Sequence, residues 1–133
     1  MGSAGVCVNE NSELLMVLQG RPDERKTWSV PTGGKEDNET FLDCCMREVA
    51  EETGYQVEIG DALLVKVGRY EELQIAFEVH YFSVKIIGGD QSIQDPDLLI
   101  HDVAWTSVDK LADLELTYPE DREFLIDYLK KVN

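Results

Sequence analysis

GGKEDNETFLDCCMREVAEETGY, residues Gly33 to Tyr55, joins a glycine loop, an acid-rich helix and a stop signal in one segment. From Thr40 onward the pattern predicts a helix. Thr40-Phe-Leu-Asp43 has the form of a capping box, with the Thr40 hydroxyl placed to accept an otherwise orphan backbone N–H. Gly54 suits the position just past the helix end, where φ is usually positive. Leu42, Met46, Val49 and Thr53 recur on one stripe, the face expected to meet a core. Glu48, Glu51 and Glu52 stand at i, i+3 and i+4, so they share a face beside that stripe. Carboxylates crowded on one turn repel one another unless they are fully solvated or a divalent cation neutralises them. A solvated acidic face is the common meaning of a Glu-rich helix taken alone. Such a face needs neither the Gly33-Gly34 loop nor Glu39 and Arg47. Hard oxygen ligands in this number suit Mg²⁺ or Mn²⁺ rather than Zn²⁺. Mg²⁺ readily shares its sphere with substrate phosphates, so the segment points to phosphoryl chemistry.

The rest of the composition narrows the partners. The chain has 133 residues, of which 43% are hydrophobic, enough for one domain over 1–133 with an ordinary core. Its formal charge of -15 argues against a nucleic-acid polymer as partner, which needs a basic footprint. A small polyanion remains compatible if metal ions supply positive charge locally. No apolar run approaches membrane-spanning length, and MGSAGVCVNE at the start lacks the basic and apolar regions of a secretory signal. Cys7, Cys44 and Cys45 are an odd set without CxxC spacing, and neighbours on a helix point about 100° apart. They read as small semi-buried residues of a protein in a reducing, cytoplasmic setting.

Outside the segment, residues 5–9 and 13–19 read as strands around the turn Asn9-Glu-Asn-Ser12. Arg21 to Lys26 is a polar loop, and Trp28 to Pro31 is short and extended. Residues 62–70 and 73–87 read as strands, the second alternating over Ile75, Phe77, Val79 and Tyr81. Gly88 to Asp90 is a turn, residues 91–99 a loop and 103–105 a short strand. Tyr118-Pro-Glu-Asp121 opens a last helix carrying Phe124, Ile126, Tyr128 and Leu129. Strands with intervening helices give an α/β domain.

Gly33, Glu39, Arg47, Glu48, Val49, Glu51, Glu52, Gly54 and Tyr55 fill the pattern G-x5-E-x7-R-E-U-x-E-E-x-G-U, where U is bulky and apolar. An average residue type occurs at about 5–7%, so a chance match in a chain this short is on the order of one in a million. The segment therefore resembles the Nudix box, and the chain resembles the Nudix hydrolases of MutT type. The resemblance implies an α/β/α sandwich around a central mixed β-sheet, with the box as loop-helix-loop over 33–55. It also implies hydrolysis of a nucleoside diphosphate linked to another moiety with Mg²⁺ or Mn²⁺, by a monomer or a homodimer.

By the same resemblance, Glu51 and Glu52 are metal ligands, and Glu48 is a third ligand or the base. Backbone carbonyls near Thr32 and Gly33 also coordinate, and Glu39 contacts metal or braces the loop. Arg47, four residues before Glu51, orients the carboxylates and offsets their repulsion. Asp102 is the candidate for the further acid that the family often places downstream, with an exposed loop Asp as the alternative. Arg25, Arg21 and Lys26 are candidates for holding substrate phosphates, or form a solvated basic loop. Trp28, Trp105 and Tyr118 are candidates for stacking on a base, or are core aromatics. His80 and His101 read as strand and surface residues. The first substrate expected is a nucleoside triphosphate, oxidised or non-standard bases included, giving monophosphate and pyrophosphate. The alternatives are a dinucleoside polyphosphate, towards which Tyr70 points, and an ADP-ribose-like or nucleotide-sugar substrate. The absence of proline in Gly68 to Glu72 disfavours ADP-ribose. An alternative of another class is a nucleotide sensor without catalysis, which loss of box glutamates would favour; all are present.

Overall fold

The structure, a computed structural model, describes residues 1–132. Its strands are β1 (Gly2–Val6), β2 (Leu14–Gln19), β3 (Thr27–Ser29), β4 (Thr32–Gly34), β5 (Tyr55–Tyr70), β6 (Ile75–Gly89) and β7 (Ile100–Thr106). The helices are α1 (Phe41–Thr53), α2 (Val108–Asp113) and α3 (Arg122–Lys131), with short 3₁₀ turns at Glu71–Leu73 and Pro119–Asp121. A mixed sheet runs β4-β1-β6-β5, in which β1 is parallel to β6 and antiparallel to β4. A second, antiparallel sheet runs β3-β2-β7.

Strand alternation explains the layering. Along β2, Leu14 and Met16 point to one side and Leu15 and Val17 to the other, and all four are buried. Leu14 and Met16 join Leu111, Leu125 and Leu129 of α2 and α3 in one cluster. Leu15 and Val17 join Cys45 and Val49 of α1 in the other. Helices therefore cover both faces, which is the expected α/β/α sandwich. Among the described residues, no helix is long and apolar enough to cross a membrane.

The predicted helix ends are found. The Thr40 hydroxyl accepts from the Asp43 N–H at 3.0 Å, and Gly54 has φ 83°. The predicted stripe is rotated, however. Leu42 is 45% exposed, and the buried face is Cys44, Cys45, Val49, Glu52 and Thr53. Small residues are preferred there because α1 lies close on β1. A Cβ added to Gly5 would come within 2.6 Å of a Val49 methyl. The two long strands exceed their predicted limits, since β5 begins directly after Gly54 and β6 continues to Gly89. Between β7 and the last helix lies a further short helix, α2, capped by Ser107, where the sequence shows no periodic apolar stripe.

Gly5→Val should push α1 off β1 and destabilise the fold by about 1–3 kcal/mol. A shift of the urea midpoint to lower concentration checks this; an unchanged midpoint would contradict the close α1–β1 packing.

Candidate active site

Strand pairing and one arginine assemble the site. Ser3 of β1 lies opposite Gly33 of β4, which fixes the glycine loop against the sheet beside α1. The Ser3 hydroxyl donates to the Phe41 carbonyl at 2.7 Å, tying β1 to the first turn of α1. Arg47 Nε donates to Glu39 Oε2 at 2.7 Å, and Nη2 donates to Glu39 Oε1 and to the Gly34 carbonyl, both at 2.9 Å. Nη1 donates to Glu48 Oε1 at 2.6 Å and Glu51 Oε1 at 3.2 Å. A single guanidinium thus ties the helix acids to the loop. Hydrogen bonding to Arg47 holds the Glu39 carboxyl down at about 2, and Glu39 raises the Arg47 pKa in return.

Glu48 and Glu52 are in a different situation. Glu52 is only 5% exposed, and its Oε1 accepts from the Thr32 N–H at 3.3 Å. Burial raises the pKa of both carboxyls, and the hydrogen bond between them lets the pair hold a proton. At Gly33 a Cβ would collide with the Glu48 carboxylate, so only glycine lets the loop backbone approach it this closely.

In front of these carboxyls lies a cavity of about 360 Å³ whose walls include Thr32, Gly33, Glu48, Glu52, Asp95 and Asp97. No lysine or arginine side chain lines it. A second cavity of about 230 Å³ shares Thr32, Val79 and Tyr118 with the first and is walled by Tyr70, Phe77 and Tyr81. Among the described residues, no three acidic, histidine or cysteine side chains converge as a ready metal cage, because Arg47 draws Glu39, Glu48 and Glu51 to itself. The donor set still fits a hard divalent cation. It is all oxygen, strongly anionic and faced by a glycine backbone. A cation would take the place of the shared proton or of Arg47 contacts.

A family profile described as NUDIX domain matches residues 1–128. The chain belongs to the Nudix family. It is 33% identical over 121 residues to an 8-oxo-(d)GTP phosphatase of Mycolicibacterium smegmatis, a match covering 90% of this chain and 34% of that protein. A Mycobacterium tuberculosis relative is 34% identical over 116 residues, 81% of this chain and 44% of that protein. The chain thus spans less than half the length of these curated relatives. Among solved structures, a NUDIX hydrolase from Nitrosomonas europaea superposes with a TM-score of 0.80 over 96% of this chain and 86% of that one, at 22% identity. That likeness shows the fold.

The Nudix box residues Gly33, Glu39, Arg47, Glu48, Glu51 and Glu52 come together as described. The other candidates divide. Tyr70 and Tyr118 line the aromatic cavity, whereas Trp28 packs against the core beside Leu116. Trp105 also packs against the core, near Tyr55. Arg21, Arg25 and Lys26 line neither cavity. Arg25 is paired with Glu115, and Lys26 Nζ donates to the Arg21 and Glu24 carbonyls, which makes it the clasp of its own loop. Asp102 is exposed on β7, accepts from the Val103 N–H and lines neither cavity. The downstream acids at the cleft are Asp95 and Asp97, in the loop 91–99. Asp95 Oδ2 accepts from the Leu99 and Ile100 N–H groups, and the Gln94 N–H donates to the Glu51 carbonyl, so that loop is folded onto α1. Asp95-Pro-Asp97 was the available signal.

The raised pKa of Glu52 has a direct consequence. The folded protein holds a proton that the unfolded chain has released, so this contribution is complete below the ordinary carboxylate value of 4.5 and is lost as pH rises above it. Metal-free protein should therefore lose stability from about pH 5 up to about pH 10, the raised Glu52 value, and Glu52→Gln should flatten that slope. Thermal melts across this range check it; parallel slopes for the two proteins would contradict it.

Proposed function

We propose that this Nudix chain hydrolyses the pyrophosphate linkage of a small nucleotide in the presence of Mg²⁺ or Mn²⁺, with a nucleoside triphosphate as the first substrate. The observation that carries the reading is the pair of buried Glu52 and half-buried Glu48 under Gly33, at the back of a cavity that shares walls with an aromatic one. The first cavity has the carboxylates for phosphate chemistry, and the second has flat apolar walls for a base.

Glu48, Glu51 and Glu52 would hold the cation, with carbonyls near Gly33 within the same loop. When bound, the ion supplies Lewis acidity to the bridging oxygen and offsets the phosphate charge that the acidic cleft would otherwise repel. The protein's own residues do the rest. Arg47 keeps Glu39, the loop and the helix acids in one arrangement, so little is reorganised during the reaction. The Glu48–Glu52 pair, once ionised, accepts the proton of the attacking water. The water oxygen bonds to one phosphorus as its bond to the bridging oxygen breaks. The products from a triphosphate are a monophosphate and pyrophosphate.

Support comes from the family and from the relative named as an 8-oxo-(d)GTP phosphatase. Activity should require Mg²⁺ or Mn²⁺ and be lost in EDTA, and Glu52→Gln should lower kcat by about 10²–10⁴ while the protein stays folded. The assay is product release from nucleoside triphosphates, dinucleoside polyphosphates and nucleotide sugars. Full turnover in EDTA, or a normal rate in Glu52→Gln, would overturn the reading.

A further inference from the structure

Among the described residues, β5 is the outer strand of the mixed sheet, and its far edge has no strand partner. An open edge of this kind invites another strand, and proteins blunt it with bulges, prolines or an outward lysine. The bulges of β5 lie between Gln56 and Leu64, which leaves Leu64 to Tyr70 in regular register with β6. That stretch has no proline. Its one lysine is turned inward. Lys66 Nζ lies 2.6 Å from Asp121 Oδ1 and 3.0 Å from Glu120 Oε2, over the rings of Tyr118 and Tyr81 at 4.8 and 5.3 Å. What faces water is apolar. Leu64, Val65 and Val67 are 37%, 47% and 68% exposed. Val65 and Val67 share one face, with His80 and Glu78 of β6 as their cross-strand partners.

We propose that this edge pairs with the same edge of a second copy of the chain, antiparallel, with Val65 of both copies at a two-fold axis. The charges at the ends of the stretch select that occupant. From Asp61 to Arg69 the chain carries one acid and two bases, in a protein of net charge -15. Two strongly anionic copies can therefore approach through this segment without setting carboxylate against carboxylate. Asp61 lies four residues before Val65 and Arg69 four residues after it. Antiparallel pairing about Val65 carries Asp61 of each copy alongside Arg69 of the other, twice over. Both residues are exposed, and among the described residues neither is in an ion pair within its own chain. Arg69 donates to the Gln74 amide oxygen at 3.1 Å. The bulge between Ala62 and Leu64 shifts the register there, a displacement that the long arginine side chain spans. Between these charged ends the copies set valine against valine, which removes exposed apolar surface from water on both. A strand of unrelated sequence would satisfy the backbone edge but not the two charged ends. The two-fold pairing also closes, because each copy uses up its β5 edge and joins its four-stranded sheet to the other's. An interface of one strand edge is small, so the dimer is a weak one.

The test is sedimentation equilibrium of the full chain at fixed ionic strength over about 1–500 µM, where small interfaces assemble. Wild type should pass from monomer to dimer with no larger species. Val65→Asp sets two carboxylates against each other at the axis and should raise the dimer Kd by at least about tenfold. Asp61→Arg and Arg69→Asp should each raise it by about three- to tenfold, because each turns two attractive contacts into repulsive ones. The double variant Asp61→Arg/Arg69→Asp remakes both contacts with the charges exchanged, and its Kd should return to within about threefold of wild type. Thermal melts at low concentration should show all these variants folded, since the three positions are exposed. Rescue by the double variant supports the two-fold pairing even if Val65→Asp fails to fold. Wild type that stays monomeric throughout leaves the edge to some other occupant and overturns the proposal. A dimer that folded Val65→Asp leaves intact, or a double variant as weak as either single one, overturns it as well.

Discussion

One guanidinium holds the site together. Arg47 joins Glu39 and the Gly34 carbonyl on the loop to Glu48 and Glu51 on α1. Without it, a chain of net charge -15 would gather like charges on one helical turn with nothing to offset them. The planar fork is what allows this. It reaches several acceptors at once and keeps its charge under all conditions, which a lysine ammonium does not do in the same geometry. The network is largely shielded from water, with Arg47, Glu39 and Glu48 side chains 24%, 13% and 14% exposed, so the contacts are strong and sensitive to the loss of any partner.

Glu52 lies outside that network, and its chemistry follows from the exclusion. It turns towards β4, takes the Thr32 N–H and has Glu48 as its nearest acid. Burial without a cation makes two carboxyls keep a proton between them. The packing that rotates α1 to bury Cys45, Val49 and Glu52 therefore also creates the group that a divalent ion can compete for. Fold and reactivity meet in the small residues along this face and in Gly5 opposite them.

Much of this was legible in the sequence because the box is local. Thr40, Gly54 and the i, i+3, i+4 glutamates are fixed by helix geometry alone, and the structure has the cap, the stop and the clustered acids where the sequence put them. The buried stripe was misjudged because hydrophobicity favoured Leu42 and Met46, whereas close approach to β1 favoured small side chains and tolerated Glu52. The basic loop Arg21 to Lys26 looked available for phosphate because composition cannot show that Lys26 clasps its own loop and Arg25 meets Glu115. Asp95, Lys66 and Glu120 carry no local pattern that places them at a cleft. The folding of loop 91–99 onto α1 brings Asp95, and the pairing of β5 with β6 brings Lys66, to the cavities, and the 3₁₀ turn Pro119–Asp121 brings Glu120. The lone Lys66 within an apolar strand was the one local anomaly that could have been followed.

On the proposed reading, Glu48 and Glu52 hold a proton in the metal-free protein that a divalent cation displaces. Proton release on adding Mg²⁺ to metal-free protein in weakly buffered solution near pH 7 measures it directly. Release of about one proton per chain is expected at saturation, and much less from Glu52→Gln at matched ionic strength. Saturating Mg²⁺ binding with no proton released from the wild type, or equal release from both proteins, would contradict it.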